Sequence, residues 1–151
     1  MDIASQKIII KNTKHFFKYQ YDYYSSLANE ANTIKGMKFS STTVDSSPLQ
    51  DAKEKMYLRI MDAQKIMKSV DDAINSCQND SEHPYATVLT LRYIKLKSTV
   101  YVINNIAFER TSYFDRVLPC ALIEFANKFM VKELVNGVEN IVDLTTASTG
   151  V

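Results

Sequence analysis

Apolar residues recur at helical spacing along most of the chain, and the strongest repeat lies near its centre. From Leu49 to Cys77 the apolar positions are separated alternately by four and three residues, a heptad-like seam that predicts one long helix. The seam consists of Met56, Ile60, Ala63, Met67, Val70, Ile74 and Cys77. Such a seam forms either an intramolecular core or the interface of a homodimer through residues 49–77, and both alternatives are open.

A second apolar stripe lies near the N-terminus. Phe16, Tyr19, Tyr23 and Leu27 follow one another at spacings of three and four residues, which predicts an amphipathic helix in an N-terminal helical arm, residues 1–35. We expect this helix to dock its aromatic rings on the rest of the protein. Tyrosines among basic residues also stack on nucleic-acid bases in some proteins, which is a second role for the same pattern.

The other boundaries follow from segments that lack apolar periodicity. Residues 36–48 are dense in serine and threonine and predict a linker. Residues 49–135 then form a helical domain that begins with the central helix. Residues 136–151 lose the helical period and end in small polar residues, so we expect a flexible tail.

Within the helical domain, residues 99–130 predict a short apolar helix, a tight break and a longer helix. This is the outline of a helix-turn-helix, which lays its second helix in the major groove of DNA. Ser98 or Thr99 is the expected N-cap of the first helix, and Thr111 or Ser112 that of the second. Their hydroxyl oxygens can accept hydrogen bonds from the free N–H groups of a first helical turn.

The longer helix should bury one apolar stripe after a break at residues 108–110. Tyr113 and Arg116 then fall on its free side, and Pro119 should kink it because proline has no backbone N–H. The expected buried stripe is Phe114, Val117, Leu118, Ala121, Leu122, Phe125 and Phe129. Short helix pairs are also common in all-α proteins that do not bind DNA, so a core helix with an ordinary polar face is an alternative.

The composition agrees with the helical pattern. Of the 151 residues, 46% are hydrophobic, enough for a core, and only three glycines and three prolines are present to interrupt helices. We therefore predict an all-α fold, a helical bundle with an N-terminal helical arm and a C-terminal helix-turn-helix.

Charge is distributed unevenly, although the net charge of the whole chain is only +1. Residues 84–132 carry seven basic and three acidic side chains, whereas residues 45–82 carry five basic and eight acidic ones. The half that contains the predicted helix-turn-helix is therefore the basic half, as expected for a surface that binds DNA.

The predicted contacts with double-stranded DNA lie in or beside the helix-turn-helix. The hydroxyl groups of Thr111 and Ser112 can donate to phosphate oxygens, and Tyr113 and Arg116 can reach into the major groove, where arginine fits the O6/N7 edge of guanine. The expected phosphate-binding cations are Lys95, Lys97 and Arg110.

Catalytic motifs are absent from the sequence. No glycine-rich phosphate loop, HExxH, GxSxG or paired metal-ligand spacing occurs, so we expect no enzyme, no cofactor and no metal site. No apolar run is long enough to cross a membrane and the N-terminal run is too short for a signal peptide, so we expect an intracellular protein without a membrane partner.

Several segments occur in an order that is typical of one family. They are the aromatic and lysine-bearing residues 15–24, the linker at 40–48, LRYIKL at 91–96 and, most sharply, ALIEFANKF at 121–129. The sequence resembles the ArpU-like and RinA-like phage transcriptional regulators. It departs from them at residues 118–120, where Leu-Pro-Cys replaces the usual basic residues, and its turn has no glycine.

The resemblance implies a helix-turn-helix similar to region 4 of sigma factors and control of late genes for packaging and lysis. It also implies RNA polymerase as a further partner and the cytoplasm of a bacterial host as the location. Carried over from the family, the DNA-facing positions are Thr111, Ser112, Tyr113 and Arg116.

Two other functions are compatible with the same pattern. In one, the chain is a non-enzymatic helical module for protein–protein interaction, and in the other it is a small phage packaging component that forms higher oligomers. Salt separates the first from DNA binding, because phosphate contacts weaken steeply with salt whereas an apolar protein interface is much less sensitive.

Overall fold

The computed structural model describes residues 2–35 and 48–147, and within these residues all regular secondary structure is helical. This confirms the predicted all-α class. The helices are α1 (Ile3–His15), α2 (Tyr21–Asn29), α3 (Ala31–Lys35), α4 (Pro48–Ser76), α5 (Tyr85–Leu89), α6 (Thr99–Ile106), α7 (Arg110–Ser112) and α8 (Leu118–Asn136). Residues 36–47 of the predicted linker lie outside the described part of the chain. None of the described helices has the length and apolar character needed to cross a bilayer.

Three π-helical turns lengthen or join these helices. Phe16–Gln20 joins α1 to α2, Thr90–Ile94 extends α5, and Tyr113–Val117 joins α7 to α8. At the end of each turn a backbone N–H donates to the carbonyl oxygen five residues earlier, as a π-helix requires. Each turn therefore contains one residue more than an α-helical turn would, and the helix face after it is displaced.

The core is built around α8, which packs against α4, α1 and α5, while α2 packs against α4. Aromatic rings of the first π-turn meet rings of α8 at its centre. The Phe17 and Phe125 centroids are 4.9 Å apart, and those of Phe16 and Phe129 are 5.2 Å apart. The N-terminal helix thus docks its aromatic residues on the body, as its amphipathic pattern predicts.

The residues that dock differ from the predicted stripe. Tyr19 and Tyr23 are 59% and 57% exposed, whereas Tyr21 and Tyr24 are half-buried against the core. The extra residue of the π-turn rotates the following helix face by roughly one residue, about 100°. The predicted stripe was therefore wrong at Tyr19 and Tyr23, because it assumed an uninterrupted α-helical period.

The apolar seam of α4 packs against other helices of the same chain. Ile60, Ala63, Val70, Ile74 and Cys77 are all buried, because the face that carries them lies against α2 and α8. Met67 is half-buried, and at the N-terminal end of the seam Met56 is 42% exposed. The intramolecular alternative therefore accounts for the seam, and the homodimer through residues 49–77 gains no support from it.

The chain after α8 differs from the flexible tail that the sequence predicts. Val138 and Leu144 are buried in the core. The side-chain amide of Asn12 donates to the carbonyl oxygens of Leu144 at 3.2 Å and Thr146 at 2.7 Å. Residues 138–147 are thus fastened to the body without a helical period, which is why periodicity does not reveal them.

Two buried carboxylates hold the start of this segment. Asp62 accepts the backbone N–H groups of Glu139 at 2.7 Å and Asn140 at 3.2 Å. Glu133 is 0% exposed, and its Oε2 accepts the N–H of Val142 at 2.6 Å, while its Oε1 has no partner among the described residues. Burial raises the pKa of Glu133 from 4.5 to about 7.

Candidate nucleic-acid interface

The predicted helix pair consists of α6 and the helix that begins with α7, joined by residues 107–109. Ser98 is the N-cap of α6, since its Oγ accepts the N–H of Tyr101 at 3.2 Å. Of the two alternatives predicted for this cap, Ser98 and Thr99, the first is therefore confirmed. The helix α6 ends at Ile106, and its C-cap residue Ala107 has φ 58° and ψ 44°. A left-handed alanine costs about 1–2 kcal/mol, so the chain reverses here at some strain and without the usual glycine.

The second helix begins earlier than predicted. Its N-cap position is Glu109, an extended residue whose side chain makes no capping hydrogen bond, and its first helical residue is Arg110. The predicted N-cap at Thr111 or Ser112 was therefore wrong. Because the left-handed residue is Ala107, the turn ends before Arg110, and both hydroxyl residues lie inside the first helical turn.

Most of the predicted DNA-binding residues lie on the surface. The exposed ones are Lys95, Lys97, Arg110, Thr111 and Arg116. Ser112 is half-buried, and Tyr113 is 0% exposed.

The prediction that Tyr113 reaches into the major groove was wrong, because its ring is fully buried. Phe114, which was predicted to be buried, is instead 42% exposed. The π-turn Tyr113–Val117 causes both errors, because its extra residue exchanges the two side chains between the core face and the free face. The stripe from Val117 to Phe129 follows α8 and is buried as predicted.

Pro119 lies directly after this π-turn, as the second residue of α8. In a regular α-helix the proline ring collides with the carbonyl of the residue four positions earlier, and that carbonyl loses its hydrogen-bond donor. The kink predicted at Pro119 stays a prediction, and the irregularity next to this residue is the π-turn immediately before it.

Three of the exposed cations lie over aromatic rings. The distances from the cationic group to the ring centroid are 5.1 Å for Lys97 and Tyr101, 5.2 Å for Arg110 and Phe114, and 5.6 Å for Arg116 and Phe108. Such contacts orient a cation without neutralising it. None of the three makes a salt bridge within the described residues, so their charges are available to an anionic partner.

Two exposed carboxylates, Glu109 and Asp115, lie in the same stretch and weaken its positive potential. Five cationic residues lie between positions 92 and 116, so the stretch is still positive overall. This surface is therefore moderately basic.

Arg92 belongs to this surface, although sequence reasoning assigned it no role. It lies in the π-turn after α5, and its guanidinium is 5.9 Å from the Tyr93 ring centroid. The only sequence signal for the place of Arg92 on this surface was that it belongs to the basic half of the chain, because no sequence spacing connects position 92 with the helix pair.

A cavity of about 490 Å³ adjoins the helix pair on the side of α1. Its lining residues are Lys14, Phe17, Lys18, Arg92, Tyr93, Leu96, Thr99, Phe114 and Leu118. It combines residues of the N-terminal helix with both of the later π-turns, and sequence reasoning did not connect these segments.

Known proteins offer no further guide to this surface. Comparison of the chain with models of protein families, with curated proteins and with solved structures finds no match. The function of the surface is therefore inferred from its own residues and charges.

Proposed function

We propose that the chain is a non-enzymatic transcriptional regulator that binds double-stranded DNA, as the resemblance to ArpU-like and RinA-like phage regulators implies. In this proposal α6 and the helix beginning at Arg110 form the helix-turn-helix. One observation carries the proposal: exposed cations lie on both sides of the three-residue turn and make no salt bridge within the described residues. These cations are Lys95, Lys97, Arg110 and Arg116.

The buried position of Tyr113 changes the proposed contacts. Lys95 and Lys97 lie just before α6 and would contact the phosphate backbone, as would Arg110 and the Thr111 hydroxyl in the first turn of the second helix. Arg116 would then be the residue that reaches a base edge. Tyr113 would anchor this helix in the core and would not touch DNA.

A binding titration tests the proposal. The full chain is titrated against duplex DNA from its own genomic neighbourhood and against unrelated duplex DNA of equal length, each at two salt concentrations. We expect a preference for the first DNA, affinity that falls with salt, and a loss of about 1–3 kcal/mol for Arg116→Ala.

Arg59→Ala is the matched control, because Arg59 is an exposed arginine on α4, beside Asp62 and Glu139. We expect this variant to bind like the wild type. The absence of duplex binding at low salt, or an equal loss in the Arg59 and Arg116 variants, would contradict the proposal.

Apolar exposure near the same helices favours a second candidate, a module for protein–protein interaction. Leu96 is 75% exposed, Val100 60% and Phe114 42%. Such side chains beside cations suit a protein partner such as RNA polymerase. In that case the chain would bind a protein partner with an affinity that changes little with salt. It would not bind duplex DNA.

A further inference from the structure

The cavity beside the helix pair has an unusual charge pattern. Lys14 of α1, Lys18 of the first π-turn and Arg92 of the π-turn after α5 all line it, and none of its lining residues is acidic. Lys14 and Lys18 are four residues apart, and neither forms a salt bridge within the described residues. Like charges at this spacing repel each other, unless an anion lies between them.

Aromatic rings form the other part of the wall. The rings of Phe17 and Tyr93, which both line the cavity, are stacked, with centroids 4.5 Å apart and planes 11° apart. Phe114 is 42% exposed and lines the same cavity. An exposed ring is a surface on which a planar base can stack.

From these observations we propose that the cavity binds a nucleoside phosphate. Lys14, Lys18 and Arg92 hold the phosphoryl group, and the base stacks against Phe114. A cavity of about 490 Å³ is within the usual size range of small-molecule sites. The ligand is either a free mononucleotide or one unpaired nucleotide of a single strand, and the two share this chemistry. The site shares no residue with the contacts assigned to duplex binding, although Arg110, one of those contacts, lies over the Phe114 ring.

Titration of the full chain with AMP, adenosine and a short fluorescent oligothymidylate tests the site. We expect AMP or the oligothymidylate to bind, and adenosine to bind at least tenfold more weakly than AMP if the free nucleotide is the ligand. Binding of AMP identifies a mononucleotide site, whereas binding of the oligothymidylate alone identifies a single-strand site.

The decisive variant is Lys14→Ala/Lys18→Ala, which we expect to weaken binding at least tenfold. Both lysines are exposed, so the variant should keep its fold, as circular dichroism will show. Lys7→Ala/Lys11→Ala is the matched control, because these lysines have the same spacing on α1 and do not line the cavity.

Two results would overturn the nucleotide site. One is that neither AMP nor the oligothymidylate binds the wild type, and the other is that both double variants bind equally well. Arg116→Ala should keep full nucleotide binding. A failure of the duplex-binding proposal can therefore be distinguished from a failure of the nucleotide site.

Discussion

Glu133 should make the stability of the fold depend on pH. It lies near the C-terminal end of α8, where the helix dipole disfavours a negative charge. The negative charges of Asp143 and Asp62 also raise the pKa of Glu133. Burial is the largest cause of its raised pKa, and the hydrogen bond from Val142 opposes the rise. The protonated form is therefore favoured in the folded state.

The sign and size of the effect follow from the two pKa values. Between pH 4.5 and about 7 the folded state holds the proton more tightly than the unfolded state does, so the free energy of unfolding falls as pH rises through this window. Below pH 4.5 the contribution of Glu133 is fully present, and above about pH 7 it is lost. The full difference corresponds to at most about 3 kcal/mol.

Glu133→Gln removes this titration, because an amide does not ionise, and its carbonyl oxygen can still accept from Val142. The measurement is urea unfolding followed by circular dichroism between pH 5 and pH 8. We expect the wild type to lose about 1–3 kcal/mol more stability than the Gln variant as pH rises from 5 to 8.

Glu139→Gln is the matched control, since this exposed carboxylate lies in the same segment, and its pH profile should run parallel to that of the wild type. Parallel profiles for the wild type and Glu133→Gln would refute the reasoning, because they would show that Glu133 does not carry a raised pKa in the folded state.

Two further predictions concern the turn and the tail, and both are checked by urea unfolding. Ala107→Gly should stabilise the protein by about 0.5–1 kcal/mol, because glycine adopts φ 58° without strain, whereas Ala52→Gly on the exposed face of α4 should destabilise it by about 1 kcal/mol. A loss at both positions would contradict the strained turn. Asp62→Asn should cost about 1–3 kcal/mol, because an amide cannot accept both backbone N–H groups of the tail. The exposed Asp51→Asn should cost less than about 1 kcal/mol, because it loses only a favourable charge in the first turn of α4, and equal effects would show that the carboxylate of Asp62 does not fasten the tail.

Local periodicity was enough to predict the all-α class and several elements. The seam from Ile60 to Cys77 is buried as expected except at Met67, which is half-buried. The stripe from Val117 to Phe129 is buried as expected, and Ser98 caps α6. These features depend on residues within one or two helical turns of each other, where the 3.6-residue repeat and the chemistry of a capping hydroxyl are sufficient.

Tertiary structure alone decided the register at the π-turns and the path of the tail. A π-turn shifts hydrogen bonding by one residue, and which residue is added depends on which side chains fit the core, so Tyr113 is buried and Phe114 is exposed. The tail is held by Asn12 and Asp62, which are distant in sequence. The cavity, too, unites segments that only folding brings together, so local pattern could not place Lys14 and Arg92 in the lining of one cavity.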